Sequence, residues 1–124
     1  MRITPLLAAA ALSLGPSALA SPQSGVQTVQ VWSYGFAPRP IYLAAGRPVT
    51  LTFVNRSGSS HDFVARRFFA NATITSGRVE NGEVDLRPHE TVSVTLVPRA
   101  GTYHAHCSHF FHKPLGMSDT IIVR

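Results

Sequence analysis

Thiol, thioether and imidazole side chains lie close together in one stretch of the sequence. The chain has a single cysteine, Cys107, and its only methionine after Met1 is Met117, with His112 between them. Thiolate and thioether are soft ligands and imidazole is borderline, so this group suits copper that cycles between Cu(I) and Cu(II). One stretch does not complete such a ligand set. His61 is the candidate for a further imidazole from elsewhere in the chain.

Three more histidines lie near this stretch. His109 could replace His112, add a further contact or face water. The four-residue gap between Cys107 and His112 lets the chain turn back to a metal, whereas a one-residue gap directs His109 elsewhere, so we expect His112 to be the ligand. His104 and His106 could chelate a second metal, with His109 joining them. We expect plain exposed strand residues instead, because most surface histidines bind nothing.

Residues 1–20 have the features of a secretory signal. A positive start at Arg2 precedes an apolar run over 6–14, and Ala18-Leu19-Ala20 is typical of a cleavage site. We expect a signal peptide cleaved after Ala20, one domain over residues 21–124, and a periplasmic or secreted protein. The apolar run is too short to span a bilayer, and no other run of spanning length follows, so no transmembrane segment is predicted.

The lone cysteine has consequences in an exported protein. Oxidising compartments favour disulfides, but Cys107 has no partner within the chain. The thiol therefore pairs with another molecule, stays an inert core residue or binds metal. The neighbouring histidine and methionine favour the metal.

The charge is moderately basic. Eleven Lys and Arg against six Asp and Glu give a formal net charge of +5. Such a surface keeps a protein soluble and can attract an acidic partner protein or an anionic surface. No stripe of interleaved basic and aromatic residues is present, so nucleic acid is not expected as a partner.

Alternation with a period of two dominates the pattern along the chain. Val49, Leu51 and Phe53 alternate with threonines, which is typical of a strand with one buried face. Turn residues such as Asn81-Gly82 separate these segments. The predicted strands lie at about 26–32, 40–44, 49–53, 61–65, 83–87, 91–97, 101–107 and 119–124, and 66–75 is expected to be a loop or a short helix. Seven or eight short strands indicate an all-β protein, an antiparallel β-sandwich.

The strand before the sulfur-rich stretch can be interpreted residue by residue. Alternation places Tyr103, Ala105 and Cys107 on one face, and His104 and His106 on the other. Cys107 is therefore predicted to face inward at the end of a rigid strand.

The motifs together resemble the cupredoxin family of small blue copper proteins, which includes plastocyanin and azurin. The similarity rests on Asn55 and the run His61-Asp62-Phe63, followed by Cys107-x4-His112-x4-Met117. It implies a Greek-key sandwich holding one type 1 copper ion. His61, Cys107 and His112 would form its trigonal plane, and Met117 would be the weak axial ligand. Phe111 and His109 depart from the family pattern, in which glycine often precedes the loop histidine.

The resemblance implies an electron carrier rather than an enzyme, with no catalytic residues. A protein that buffers or passes on copper is the alternative, and the additional histidines would then serve as transfer ligands. In the family an apolar patch surrounds the loop histidine and contacts redox partners. Here it would consist of Phe110, Phe111, Pro114 and Leu115, with Lys113 steering an acidic partner. The protein is expected to be a monomer.

Overall fold

Two β-sheets and one short helix form the described part of the chain. The computed structural model describes Ile3, Pro5, residues 25–109 and residues 117–124. In chain order the elements are β1 (Gly25–Trp32), β2 (Gly35–Ala37), β3 (Ile41–Leu43), β4 (Val49–Asn55), β5 (His61–Val64), α1 (Arg66–Asn71), β6 (Thr73–Ser76), β7 (Glu83–Leu86), β8 (Thr91–Val97), β9 (Gly101–His106) and β10 (Ser118–Val123).

The strands form two five-stranded sheets. One has the order β2-β1-β4-β8-β6 and the other β3-β10-β9-β5-β7. Most neighbours are antiparallel, and the expected all-β sandwich is confirmed. Two pairs are parallel, β1 with β4 and β3 with β10. Parallel neighbours require crossover connections, so the chain passes repeatedly from one sheet to the other.

The core lies between the sheets and is built by the predicted alternation. Val49, Leu51 and Phe53 of β4 are buried, while the intervening threonines are half-buried. Phe63 of β5 is fully buried, with its ring centroid 4.8 Å from that of Phe53 and 5.3 Å from that of Phe36. Burying a ring of this size contributes about 2 to 3 kcal/mol. Phe63 therefore fixes β5 against the other sheet, two residues after His61.

The described part of the chain has ten strands, two more than the sequence pattern predicts. β2 has three residues, too few to show a period. All four residues of β6 are exposed, so it has no buried face for an apolar pattern to mark. The segment 66–75, expected to be a loop or a short helix, contains α1 and all of β6 except its last residue, Ser76. Within the described ranges, no helix is long and apolar enough to cross a membrane.

Candidate metal centre

Three of the candidate ligands lie at one end of the same sheet. His61 is the first residue of β5, Cys107 follows β9 directly, and Met117 precedes β10 directly. β9 pairs with β5 through His106 and Val64, and with β10 along its length. The sheet register thus brings together residues that are far apart in the sequence.

The side chain of Cys107 faces the core, as the alternation predicts. Tyr103, Ala105 and Cys107 are buried, whereas His104 is exposed and His106 is half-buried. The Cys107 backbone N–H donates to the Met117 carbonyl oxygen at 3.1 Å. This bond extends the β9–β10 ladder up to the candidate ligands and holds Cys107 beside Met117.

His61 and Cys107 are in direct contact. The Cys107 Sγ atom lies 3.8 Å from His61 Nδ1, within hydrogen-bond distance for sulfur. The two side chains are 1% and 0% exposed. A metal ion bound here would take the place of the thiol proton and accept both the sulfur and Nδ1 as ligands.

A chain of hydrogen bonds sets the tautomer of His61. The Ser57 hydroxyl donates to Asn55 Oδ1 at 2.9 Å, and its oxygen lies 2.8 Å from His61 Nε2. Since the hydroxyl proton is directed to the amide, Ser57 accepts the proton of His61 Nε2–H. Ser33 Oγ also lies 3.1 Å from Nε2. The Nε2–H tautomer leaves the Nδ1 lone pair directed toward Cys107, which is how an outer hydrogen bond orients a metal-binding imidazole.

The environment of Cys107 favours a protonated thiol when no metal is bound. Burial raises the pKa of Cys107 above its ordinary value of 9.0. Burial disfavours the thiolate because the charged form is removed from water. A cation with an affinity for sulfur would therefore have to displace a proton.

Asp62 is part of the centre, although the sequence pattern assigns it no role. Its Oδ1 accepts the Ser108 backbone N–H at 2.6 Å, and Oδ2 accepts the Ser108 hydroxyl proton. Alternation on β5 predicts an outward, exposed side chain, but Asp62 is only 4% exposed. Its carboxylate ties β5 to the residue after Cys107. Only its position after His61 could have identified it from the sequence.

His109 lies closer to the centre than its spacing predicts. Oxygen, sulfur and nitrogen atoms of Asp62, Cys107 and His109 all lie within 4.8 Å of one another. The ring centroids of His61 and His109 are 6.3 Å apart. The expectation that the one-residue gap directs His109 elsewhere is therefore wrong, because the turn after Cys107 brings it back.

The rest of the predicted loop lies outside the described residues. This applies to the candidate ligand His112, to Phe110, Phe111, Pro114 and Leu115 of the expected apolar patch, and to Lys113. The assignment of His112 as a ligand therefore stays a prediction. Met117 is described, and its side chain is fully buried at the same end of the sheet.

The donor set fits copper by its chemistry. His61 offers a neutral imidazole nitrogen, Cys107 a thiol, and Met117 a thioether within a buried setting. Hard cations such as Mg²⁺ and Ca²⁺ prefer several oxygen ligands, whereas sulfur and imidazole together suit copper.

Comparisons with known proteins identify the family and the fold. The sequence model of the Cupredoxin-like domain matches residues 3–123. Auracyanin B is 23% identical with a TM-score of 0.59, covering 89% of this chain and 96% of its own. Auracyanin A, a "blue" copper protein from Chloroflexus aurantiacus, is 23% identical with a TM-score of 0.55, covering 81% and 100%. Dithionite-reduced auracyanin from Roseiflexus castenholzii is 15% identical with a TM-score of 0.61, covering 84% and 99%. At these identities the structures show a shared fold. A search of curated proteins gives no significant match.

Proposed function

This chain belongs to the cupredoxin-like family, and from that membership we propose that it is an exported type 1 copper protein that transfers single electrons between redox partners. The observation that carries the proposal is the buried contact between His61 Nδ1 and Cys107 Sγ at 3.8 Å. Bound copper would supply a one-electron couple between Cu(I) and Cu(II).

The role of the protein residues is to hold the donor atoms still. Ser57 orients the His61 ring, the Met117 carbonyl oxygen accepts the Cys107 N–H, and Asp62 holds Ser108. These bonds restrict the donor atoms in the same way before and after an electron arrives. The buried surroundings exclude water that would otherwise add ligands to one oxidation state. An electron carrier needs little rearrangement of its ligands, and this scaffold supports that requirement.

We propose His61, Cys107, His112 and Met117 as the ligand set. The resemblance supplies the role of His112, and the position of His109 beside Cys107 makes it the competitor. Replacing His112 with alanine should remove the intense colour of the Cu(II) protein, while replacing His109 with alanine should leave it nearly unchanged. The opposite result would assign the loop ligand to His109.

The partner is proposed to be an acidic redox protein in the periplasm or outside the cell. We propose that this chain contacts the partner as a monomer. The net charge of +5 supports electrostatic steering, and cleavage after Ala20 would release the mature domain. The docking patch is proposed around Phe110 and Phe111. Introducing Asp at each position should slow electron exchange with a protein partner while leaving the visible spectrum and exchange with a small reductant unchanged. Loss of folding in both variants would instead assign these rings to the core.

The decisive test is reconstitution of the mature protein with one equivalent of Cu(II). Charge transfer from the Cys107 sulfur should give a strong visible band that fades on reduction. The Cys107→Ser variant should lack this band, and Thr102→Ser, at an exposed position of β9, serves as the control that keeps the sulfur. A colourless wild-type complex, or a band that survives in Cys107→Ser, would refute the type 1 assignment.

Copper handling is the second candidate function, and the paired rings of His104 and His106 favour it. The two functions differ in how readily the metal leaves. A carrier should exchange electrons rapidly and lose copper slowly to a strong chelator. Fast copper transfer together with slow electron exchange would favour handling.

A further inference from the structure

Two histidines on the outer face of β9 form a pair that the proposed electron-transfer site does not use. The ring centroids of His104 and His106 are 5.4 Å apart, and their planes differ by 20°. β9 pairs with β10 along its length and with β5 through His106 and Val64, so the backbone that carries both rings is held on two sides. The rings therefore lie side by side on a rigid support.

The spacing of the rings suits a shared metal ion. An imidazole nitrogen binds a first-row metal at about 2 Å, which puts the ring centre about 3 Å from the ion. Two rings on one ion can thus have centroids up to about 6 Å apart. The observed 5.4 Å lies within this reach. Small side-chain rotations about fixed Cα positions would direct one nitrogen of each ring to a common point.

The residues paired with His104 and His106 carry no positive charge that would repel a cation. Directly paired residues of adjacent strands share a face of the sheet. Ser118 lies opposite His106 and Thr120 lies opposite His104 on β10, while Val64 lies opposite His106 on β5. These neighbours are uncharged, and two of them carry hydroxyl groups. Glu83, which pairs with Val64 on β7, adds a carboxylate on the same face further across the sheet.

We propose that His104 and His106 bind a divalent transition-metal ion, with Cu(II) preferred, as a second site distinct from the one at Cys107. Two neutral imidazoles supply nitrogen ligands, and water completes the coordination. Cu(II) stands highest in affinity among divalent first-row metals for such ligands. His104 is exposed and His106 is half-buried, so the ion reaches the pair directly from solvent.

The protein is first loaded with one equivalent of Cu(II), and the visible band is confirmed. Further Cu(II) is then added as copper sulfate, and its binding is followed by calorimetry and electron paramagnetic resonance. A second ion should bind without adding an intense visible band. His104→Gln and His106→Gln should each weaken the second binding at least tenfold. The first visible band should remain in both variants, which shows that they are folded.

His89→Asn is the matched control, because His89 is an exposed histidine in a turn with a φ of 60° that asparagine tolerates. It should leave the second binding unchanged. Saturation at one copper per chain would overturn the proposal, as would second binding that survives both His104→Gln and His106→Gln or disappears in His89→Asn. To keep the proposal separate from the proposed function, the titration is repeated in Cys107→Ser. In this variant one copper ion should still bind to His104 and His106, whether or not the wild-type protein shows the intense visible band.

Discussion

Replacing Asp62 with asparagine should raise the reduction potential of the copper centre. The Asp62 carboxylate lies within 4.8 Å of Cys107 Sγ, and its negative charge favours the more positive oxidation state, Cu(II). Asparagine has the same shape. Its Oδ1 still accepts the Ser108 N–H, and its Nδ2 donates to the Ser108 hydroxyl oxygen, so the tie to β5 is kept while the charge is removed.

The order of magnitude follows from the separation of the Asp62 carboxylate and Cys107 Sγ, the atom that would hold the copper. Two unit charges 4.8 Å apart interact by about 3.5 kcal/mol at an effective dielectric constant of about 20. For a one-electron couple, about 1.4 kcal/mol corresponds to about 59 mV. With this separation taken for the carboxylate and the copper, the expected increase is on the order of 100 mV.

Spectroelectrochemical titration of the visible band measures this potential directly. Asp85→Asn is the matched control: Asp85 lies opposite Asp62 in the β5–β7 register but is exposed, so water screens its charge. Its removal should change the potential much less. Equal shifts in the two variants, or no increase in Asp62→Asn with the band intact, would refute the electrostatic argument. Loss of the band would show that the amide does not replace the carboxylate's hydrogen bonds.

Three further outcomes are expected. Burial raises the pKa of Asp119 from 3.8 to about 6, so this carboxyl costs stability as the pH rises through that window. Asp119→Asn should therefore increase the free energy of unfolding by up to about 3 kcal/mol at about pH 7.5. In urea unfolding the difference should vanish below about pH 3.8, and a difference independent of pH would contradict the assignment. Met117→Leu should keep copper and raise the potential, because a weak axial thioether tunes the metal more than it holds it; loss of copper would show a stronger bond. Because burial raises the pKa of Cys107, copper binding should release a proton, and competition with a chelator should show affinity that increases up to about tenfold per pH unit near neutrality. Affinity that does not change with pH would mean that the thiol is already ionised.

The local pattern of apolar and polar residues was sufficient to predict much of the fold. Apolar alternation identified β4, β8 and β9, and it correctly placed Cys107 inward and His104 outward. Turn chemistry was equally informative at Asn81-Gly82, where φ values of 52° and 73° match the left-handed turn that these residues favour. In each case the signal lies within a few consecutive residues and reflects one physical cause, burial or backbone conformation.

The sequence was less informative where long-range contacts decide the structure. Asp62 looks like an outward strand residue, but it is buried and bonded to Ser108, which lies far along the chain. His109 returns to Cys107 because of a turn whose shape depends on what packs around it. β6 has no buried face and owes its position to pairing with β8. Such features arise from the tertiary arrangement and have no local periodic signal.

The position of β10 has a consequence for the timing of assembly. β10 is the last strand in chain order, yet it lies inside its sheet, between β3 and β9. A nascent chain that lacks it leaves β3 without its neighbour in that sheet and leaves Cys107 without the Met117 carbonyl that accepts its N–H. The pairing of β3 with β10 joins segments far apart in the sequence, and such contacts form late, because closing a long loop costs entropy before the pairing compensates for it. Until β10 has closed the sheet, Cys107 therefore lacks the backbone hydrogen bond that holds it beside Met117.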